Sequence, residues 1–90
     1  MRVTYDEAKR ERTFRERGLD FRDAEWVFAG ATLEVEDTRK DYGETRIQVL
    51  AFLGNRLHAA VITIRGDALH VISFRKANRK EVKWYERERG

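Results

Sequence analysis

Cysteine and proline are both absent from the 90-residue sequence. Without cysteine, neither a disulfide framework nor a thiolate metal site can form, so a reducing cytoplasm is the expected setting. No stretch approaches the roughly 20 apolar residues of a membrane span, and the first residues hold no apolar segment of signal-peptide length. The two histidines, His58 and His70, show no arrangement typical of a zinc site or a nucleophilic triad. We therefore expect a cytoplasmic protein with no membrane partner, no metal and no cofactor.

Charge is unevenly distributed along a chain that suits one domain over residues 1–90. Hydrophobic residues make up 41% of the sequence, enough for a single modest core. Lys and Arg number 9 against 12 Asp and Glu in residues 1–45, and 10 against 4 in residues 46–90, so the halves carry −3 and +6. A basic half suggests a polyanion partner such as nucleic acid, or an acidic protein. Solubility alone is the other explanation.

Three segments have the pattern of helices. Residues 4–18 combine a capping box at Thr4 and Glu7 with a stop at Gly18. Residues 20–30 begin at a candidate N-cap, Asp20, and carry an apolar stripe. Residues 77–90 have Asn78 as candidate N-cap and Glu81 three positions farther on. Two helices are therefore expected at the N-terminus and one at the C-terminus.

The middle of the chain has the period of two that is typical of strands. Residues 32–35 form a short candidate strand, and residues 36–43 read as a mobile loop. Three longer strands follow as RIQVLAFL, LHAAVITIR and LHVISFRK, separated by Gly-Asn and by Gly-Asp-Ala. Short connections imply an antiparallel meander. The predicted fold is α+β: two N-terminal helices, an antiparallel sheet of three to four strands and a C-terminal helix.

The second turn of the meander decides which side chains share a face. A loop of even length would place Arg75 on the apolar face with Ile62, whereas a three-residue loop over residues 66–68 pairs Arg65 with Leu69. We adopt the three-residue loop, which sorts the strands cleanly and places His70 on the apolar face. The apolar face then holds Ile47, Val49, Ala51, Ala60, Ile62, Ile64, Ile72 and Phe74. The polar face holds Arg46, Gln48, Thr63, Arg65, Ser73 and Arg75.

Three arginines on neighbouring strands repel one another unless an anion lies between them. Phosphate fits that description, and the alternative is that Glu44 and Asp37 are ordinary surface partners. Further cations surround the start of the last helix, where the macrodipole disfavours them: Lys76, Arg79, Lys80 and Lys83. They suit contacts to a phosphate backbone, although a solvated face would also explain them.

Several short motifs together resemble the BrnT family of bacterial toxins. They are YDEAK, RERGLDF, GETR, VITIR and VISFRKANRKEVKWYE, in family order over essentially the whole chain. The resemblance implies a ribonuclease toxin of a type II toxin–antitoxin pair with a RelE-like fold. It also implies a BrnA-type ribbon-helix-helix antitoxin, which neutralises the toxin and represses the shared operon with it, so that the complex binds operator DNA through the antitoxin.

The resemblance carries the family's charged positions onto Glu44, Arg46, Arg65, Arg75 and Glu81, together with Ser73 and Tyr85. The chain departs from the family pattern at Tyr5, Thr13 and Arg17, which stand where the family has Trp, Asn and His. A guanidinium stays protonated and cannot act as a general base, so the position of Arg17 is structural or the activity is weakened.

The resulting hypothesis is metal-independent RNA cleavage by the 2′-hydroxyl, which inhibits translation and growth. In this hypothesis the three arginines hold the scissile phosphate, and the RNA backbone is contacted by Lys76, Arg79 and Lys80. Glu44 or Glu81 is the general base and Tyr85 is the general acid. Both histidines are structural. One alternative is a non-catalytic nucleic-acid-binding or regulatory module that uses the same basic face. Another is a toxin that acts on a protein target.

Overall fold

A five-stranded mixed sheet is the centre of the structure, a computed structural model that describes residues 2–89. Its strands follow the order β1-β5-β4-β3-β2 across the sheet. β1 and β5 are parallel, and the other neighbours are antiparallel. The strands are β1 Arg2–Tyr5, β2 Thr32–Glu36, β3 Ile47–Leu53, β4 Arg56–Arg65 and β5 Ala68–Lys76. The helices are α1 Glu7–Arg17, α2 Ala24–Val27 and α3 Arg79–Arg89, with a 3₁₀ turn at Phe21–Asp23 before α2.

The predicted fold of two N-terminal helices, an antiparallel sheet of three to four strands and a C-terminal helix is wrong, because the sheet has five strands and one of its pairs is parallel. Residues 2–5 form a strand that pairs with Ala68 to Val71 of β5, and the helix begins only after Asp6, which accepts a hydrogen bond from the Lys9 N–H at 2.9 Å. The sequence of a four-residue edge strand can match the pattern of a helix N-terminus, because the strand that pairs with it lies far along the chain and gives no local signal. The second helix is likewise reduced to one short turn after the 3₁₀ segment.

Helices cover both faces of the sheet. On one face Phe21, Ala24 and Val27 are buried against the strands, as their apolar stripe predicts. On the other face α3 packs over Leu50, Leu57 and Ala59. The capping box that begins α3 is confirmed, because Asn78 and Glu81 exchange hydrogen bonds of 2.9 Å between side chain and backbone. Among residues 2–89, no helix is long and apolar enough to cross a membrane.

The turn between β4 and β5 has two residues, so the predicted three-residue loop is wrong. Arg65 pairs with Ala68, and Gly66 has a φ of 62°, which favours glycine. Farther along, Ile62 pairs with Val71 but Val61 pairs with Ser73, which leaves Ile72 as one extra residue in a β-bulge.

The shorter turn shifts the register of β5 by one residue, and the bulge at Ile72 shifts it back, so residues beyond the bulge lie on the faces that were predicted. Counting along the register, Arg75 opposite Ala59 lies on the same face as Arg65, as expected. Val71 joins Phe74 in the core instead of Ile72. His70 pairs with Thr63 and lies on the polar face, so its predicted position on the apolar face is wrong.

Two long cations of α1 cover the edge of β5 where β1 has ended. Lys9 donates from Nζ to the carbonyl oxygen of Ile72 at 2.7 Å, and Arg17 donates from Nη1 to the carbonyl oxygen of Phe74 at 3.0 Å. Carbonyl groups that lack a neighbouring strand need such donors. Arg17 therefore has a structural partner at the position where the family has histidine.

Candidate functional site

α3 packs over one half of the polar sheet face, and the other half extends beyond its contacts. We call this surface the polar half-face. Its position follows from the register, because the face that α3 covers at Leu50 and Ala59 continues through Val61 and Thr63 toward Arg65. Its strand and border residues are Glu44, Arg46, Gln48, Thr63, Arg65, His70, Ser73, Arg75 and Glu81.

A single carboxylate lies between two arginines at one end of the polar half-face. Glu44 lies 3.6 Å from Arg46 Nε and 3.5 Å from Arg65 Nη2. Both distances exceed the 2.7–2.9 Å of a strong charged hydrogen bond. Glu44 is thus the ion-pair partner considered from the sequence, but one negative charge serves two guanidinium groups. The excess positive charge suits an additional anion.

The Arg46 guanidinium lies over an aromatic ring. Its Cζ atom lies 4.1 Å from the centroid of Tyr42, a cation–π contact. The Tyr42 hydroxyl donates to Asp37 at 3.1 Å. Asp37 also accepts two hydrogen bonds from the Arg39 guanidinium and one from the Arg39 backbone N–H, and those from the guanidinium are the main reason that the pKa of Asp37 lies far below its ordinary value. Asp37 therefore pairs with Arg39 and not with an arginine of the polar half-face.

Arg46 retains an unused donor. Its Nε is buried and has no hydrogen-bond partner within residues 2–89. A buried donor without a partner is costly, and the Glu44 carboxylate faces this one at 3.6 Å, just beyond hydrogen-bond distance.

The third predicted arginine has its own carboxylate. Arg75 forms a two-point ion pair with Glu81, at 2.7 and 2.8 Å. Glu81 also accepts from Gln48 Nε2 at 2.9 Å, and the hydrogen bonds from Arg75 lower the pKa of Glu81. Arg75 lies opposite Ala59, four residues along β4 from Thr63, or about 13 Å at the rise of a strand. The structure thus separates the three arginines into an arginine pair, Arg46 and Arg65, and the single residue Arg75. Ser73 lies on β5 between the two groups.

Tyr85 lies on the side of α3 that packs against the sheet, away from the polar half-face. Its ring packs edge-on against Phe52 with centroids 5.4 Å apart, and its hydroxyl donates to the carbonyl oxygen of Ala31 at 3.2 Å. With 9% of its surface exposed, it belongs to the core cluster of Leu50 and Leu57.

The four predicted backbone-binding cations are exposed but do not join the arginine pair. Lys76 pairs with His58 and points to the opposite face by alternation. Arg79 lines a depression with Asn55 and Arg56 at the other end of β4 from Arg65. Lys80 and Lys83 lie on the exposed surface of α3.

Sequence reasoning did not assign two residues that the structure brings to the arginine pair. Tyr42 lies just before the GETR motif, four positions before Arg46, so a contact between the ring and the guanidinium could have been predicted from the sequence. His70 was assigned to the apolar face because nothing in the sequence indicates the bulge. Its Nδ1 lies 2.9 Å from the Thr4 hydroxyl, and its cross-strand partner Thr63 donates to the carbonyl oxygen of Thr45 at 2.7 Å.

Together, the fold and this surface define a small α+β domain with a cationic, partly carboxylate-lined face suited to a phosphate-containing ligand. The family described as ribonuclease toxin, BrnT, of type II toxin–antitoxin system matches residues 5–81, and the chain belongs to this family. The family resemblance of the motifs is thereby confirmed. No curated protein matches the chain. Membership in the family makes the protein a ribonuclease toxin, with RNA as its substrate and a protein antitoxin as its partner.

Proposed function

We propose that this toxin cleaves RNA without a metal ion, by attack of a 2′-hydroxyl on the adjacent phosphate at the polar half-face. The observation that supports the proposal is the arrangement of Arg46 and Arg65 around the single carboxylate of Glu44. Charge builds up on the phosphorane oxygens in the transition state, and donors already held in place stabilise it most effectively. Arg46, held beside Tyr42 by a cation–π contact and paired with Glu44, is such a donor.

The remaining charged residues have supporting positions in this proposal. Arg75, about 13 Å away along the sheet, binds a second phosphate farther along the same single strand. Glu81 orients Arg75, because both of its oxygens are already engaged by hydrogen bonds. Glu44 orients the arginine pair. The Tyr85 hydroxyl already donates a hydrogen bond to the carbonyl oxygen of Ala31, which favours a structural role for Tyr85.

The partner that we propose is a BrnA-type ribbon-helix-helix antitoxin. An acidic segment that covers the arginine pair would neutralise charge and exclude RNA together. The toxin–antitoxin complex would bind operator DNA through the antitoxin. In the cytoplasm, free toxin would cleave RNA and thereby stop translation and growth.

The experiment that tests the proposal compares RNA cleavage by the wild type with cleavage by Arg65→Ala. We expect cleavage to fall about 100- to 1000-fold, the usual cost of removing one charge-stabilising donor. Binding of an RNA analogue without 2′-hydroxyl groups should weaken much less, and chelation of metal ions should not slow the wild type. Arg12→Ala, an exposed arginine of α1, is the matched control.

Three results would contradict the proposal in different ways. A wild type that binds RNA but never cleaves it would support a non-catalytic binding module. Growth arrest with cellular RNA left intact would indicate a protein target. Loss of cleavage on chelation, restored by a divalent ion, would replace the metal-independent mechanism.

A further inference from the structure

His70 is the one histidine on the polar half-face, and its surroundings differ from those of His58. His58 is 4% exposed, packs against Phe74 with ring centroids 5.3 Å apart, and contacts the carbonyl oxygen of Arg56 through Nδ1 at 2.8 Å. His70 is only partly buried and lies in β5 on the polar half-face, between Thr4 and Thr63 of the neighbouring strands. Only one of the two imidazoles is therefore placed to meet a ligand.

The register brings His70 into line with the arginine pair. His70 lies directly opposite Thr63, and Ile47 lies opposite Ile62, so the residue before Ile47 falls beside Thr63. That residue is Arg46. Arg46 and His70 lie on either side of Thr63, two strand spacings or about 10 Å apart. A phosphate bound between the two side chains can contact both the Arg46 guanidinium and the His70 imidazole.

The hydroxyl of Thr4 fixes the orientation of the His70 ring. The distance from Thr4 Oγ1 to Nδ1 is 2.9 Å, across the parallel pairing of β1 with β5. A threonine hydroxyl can accept from Nδ1–H or donate to Nδ1, and in the tautomer in which it accepts, the lone pair on Nε2 is the proton-accepting site.

We propose that His70 is the general base of the cleavage reaction and that Thr4 is its positioning residue. This inference rests on the proposed ribonuclease activity. Nε2 takes the proton of the 2′-hydroxyl, the 2′-oxygen forms a bond to phosphorus, and the bond from phosphorus to the 5′-oxygen breaks. Solvent protonates the departing 5′-oxygen. The products are a 2′,3′-cyclic phosphate and a free 5′-hydroxyl, and Arg46 and Arg65 stabilise the charge on the phosphorane.

The charges around His70 are compatible with this role. Burial lowers the pKa of His70 below its ordinary value of 6.5, and Arg65 acts in the same direction. Glu44 opposes these effects, and at the start of α1 Lys9 lowers the pKa while Asp6 raises it. The imidazole is therefore neutral at pH 7 and can accept a proton.

The test is single-turnover cleavage of an RNA of mixed sequence across pH 4.5–8.5. The wild-type rate should rise with pH up to the pKa of His70 and then level off. His70→Asn keeps an amide where Nδ1 contacts Thr4 but removes Nε2, and we expect its rate to fall about 100-fold or more with the acidic limb lost. Binding of a 2′-deoxy analogue should change by less than about threefold. His70→Ala should regain activity when imidazole is added, which a structural role would not produce.

Two variants separate the proposed roles from effects on folding. His58→Asn makes the same substitution at the buried histidine, and any folded fraction should keep the wild-type pH profile. Thr4→Val removes the contact to Nδ1 and should lower the rate about tenfold without loss of the acidic limb.

The outcomes distinguish this inference from the proposed function. A wild type that cleaves no RNA overturns the proposed function and this inference with it. A wild type that cleaves while His70→Asn keeps both rate and pH profile overturns the role of His70 alone. A rate that increases as the pH falls, together with weaker analogue binding by His70→Asn, would identify His70 as a cationic phosphate ligand and not as the base.

Discussion

Replacing Glu81 with glutamine should weaken the fold by removing a charge while leaving the shape of the site almost unchanged. Glutamine can still cap the start of α3, because its side-chain oxygen can accept from the Asn78 N–H as glutamate does. The change therefore isolates the ion pair with Arg75, whose two hydrogen bonds measure 2.7 and 2.8 Å.

The expected loss of stability lies between the values for surface and buried ion pairs. Glu81 is 12% exposed at the side chain but Arg75 is 39% exposed, so water partly screens the pair. Exposed pairs contribute less than about 1 kcal/mol, and breaking a buried pair costs about 3–5 kcal/mol. We expect a loss of about 2 kcal/mol, which lowers the midpoint of thermal unfolding of a domain of this size by about 8–16 °C.

The pH dependence has a defined sign. The folded state lowers the pKa of Glu81 below its ordinary value of 4.5, so the charged form contributes its full stability above pH 4.5. That contribution is lost as the pH falls through the folded pKa. The difference in unfolding free energy between wild type and Glu81→Gln should therefore be full at pH 7 and disappear in strong acid.

Chemical denaturation followed by circular dichroism at pH 7 and at pH 3 measures this difference. Glu86→Gln, an exposed residue of the same helix, is the control and should change stability by less than about 0.5 kcal/mol. An unchanged midpoint for Glu81→Gln at pH 7 would show that the ion pair contributes nothing. A deficit of equal size at pH 3 would show that the amide disturbs packing and that the charge is not the cause.

Three further predictions concern residues that hold the site or the fold in place, namely Tyr42, Arg17 and Gly18. Tyr42→Leu should lower RNA cleavage about tenfold through a misplaced Arg46, whereas Tyr42→Phe keeps the ring and most of the activity in the same assay. Arg17→Ala should cost about 1 kcal/mol in denaturation, because the carbonyl of Phe74 loses a donor, yet leave cleavage by folded protein unchanged. Gly18→Ala should cost about 1–2 kcal/mol by the same measurement, since its φ is 70° and no neighbour crowds the new methyl group.

Local chemistry made much of the fold predictable. The Asn78–Glu81 capping box and the Gly-Asn turn between β3 and β4 each depend on residues a few positions apart, and the structure has both. The β1 strand was missed because only its parallel partner, 66 positions away, identifies it. Within the site, the arginines were found from alternation and the family motifs. Their separation into a pair and a single residue depends on Glu81, whose position follows from how α3 packs.

The bulge at Ile72 explains why sequence alone had to choose between His70 and Arg75. Five positions separate them, and in a regular strand an odd separation puts two side chains on opposite faces. The predicted three-residue loop gave the polar face to Arg75 and consequently gave the apolar face to His70. The actual two-residue turn is one residue shorter, and the bulge adds one residue between the two positions, so both side chains lie on the polar half-face. Bulges frequently redirect side chains near active sites, and here the bulge adds an imidazole to a face of guanidinium groups.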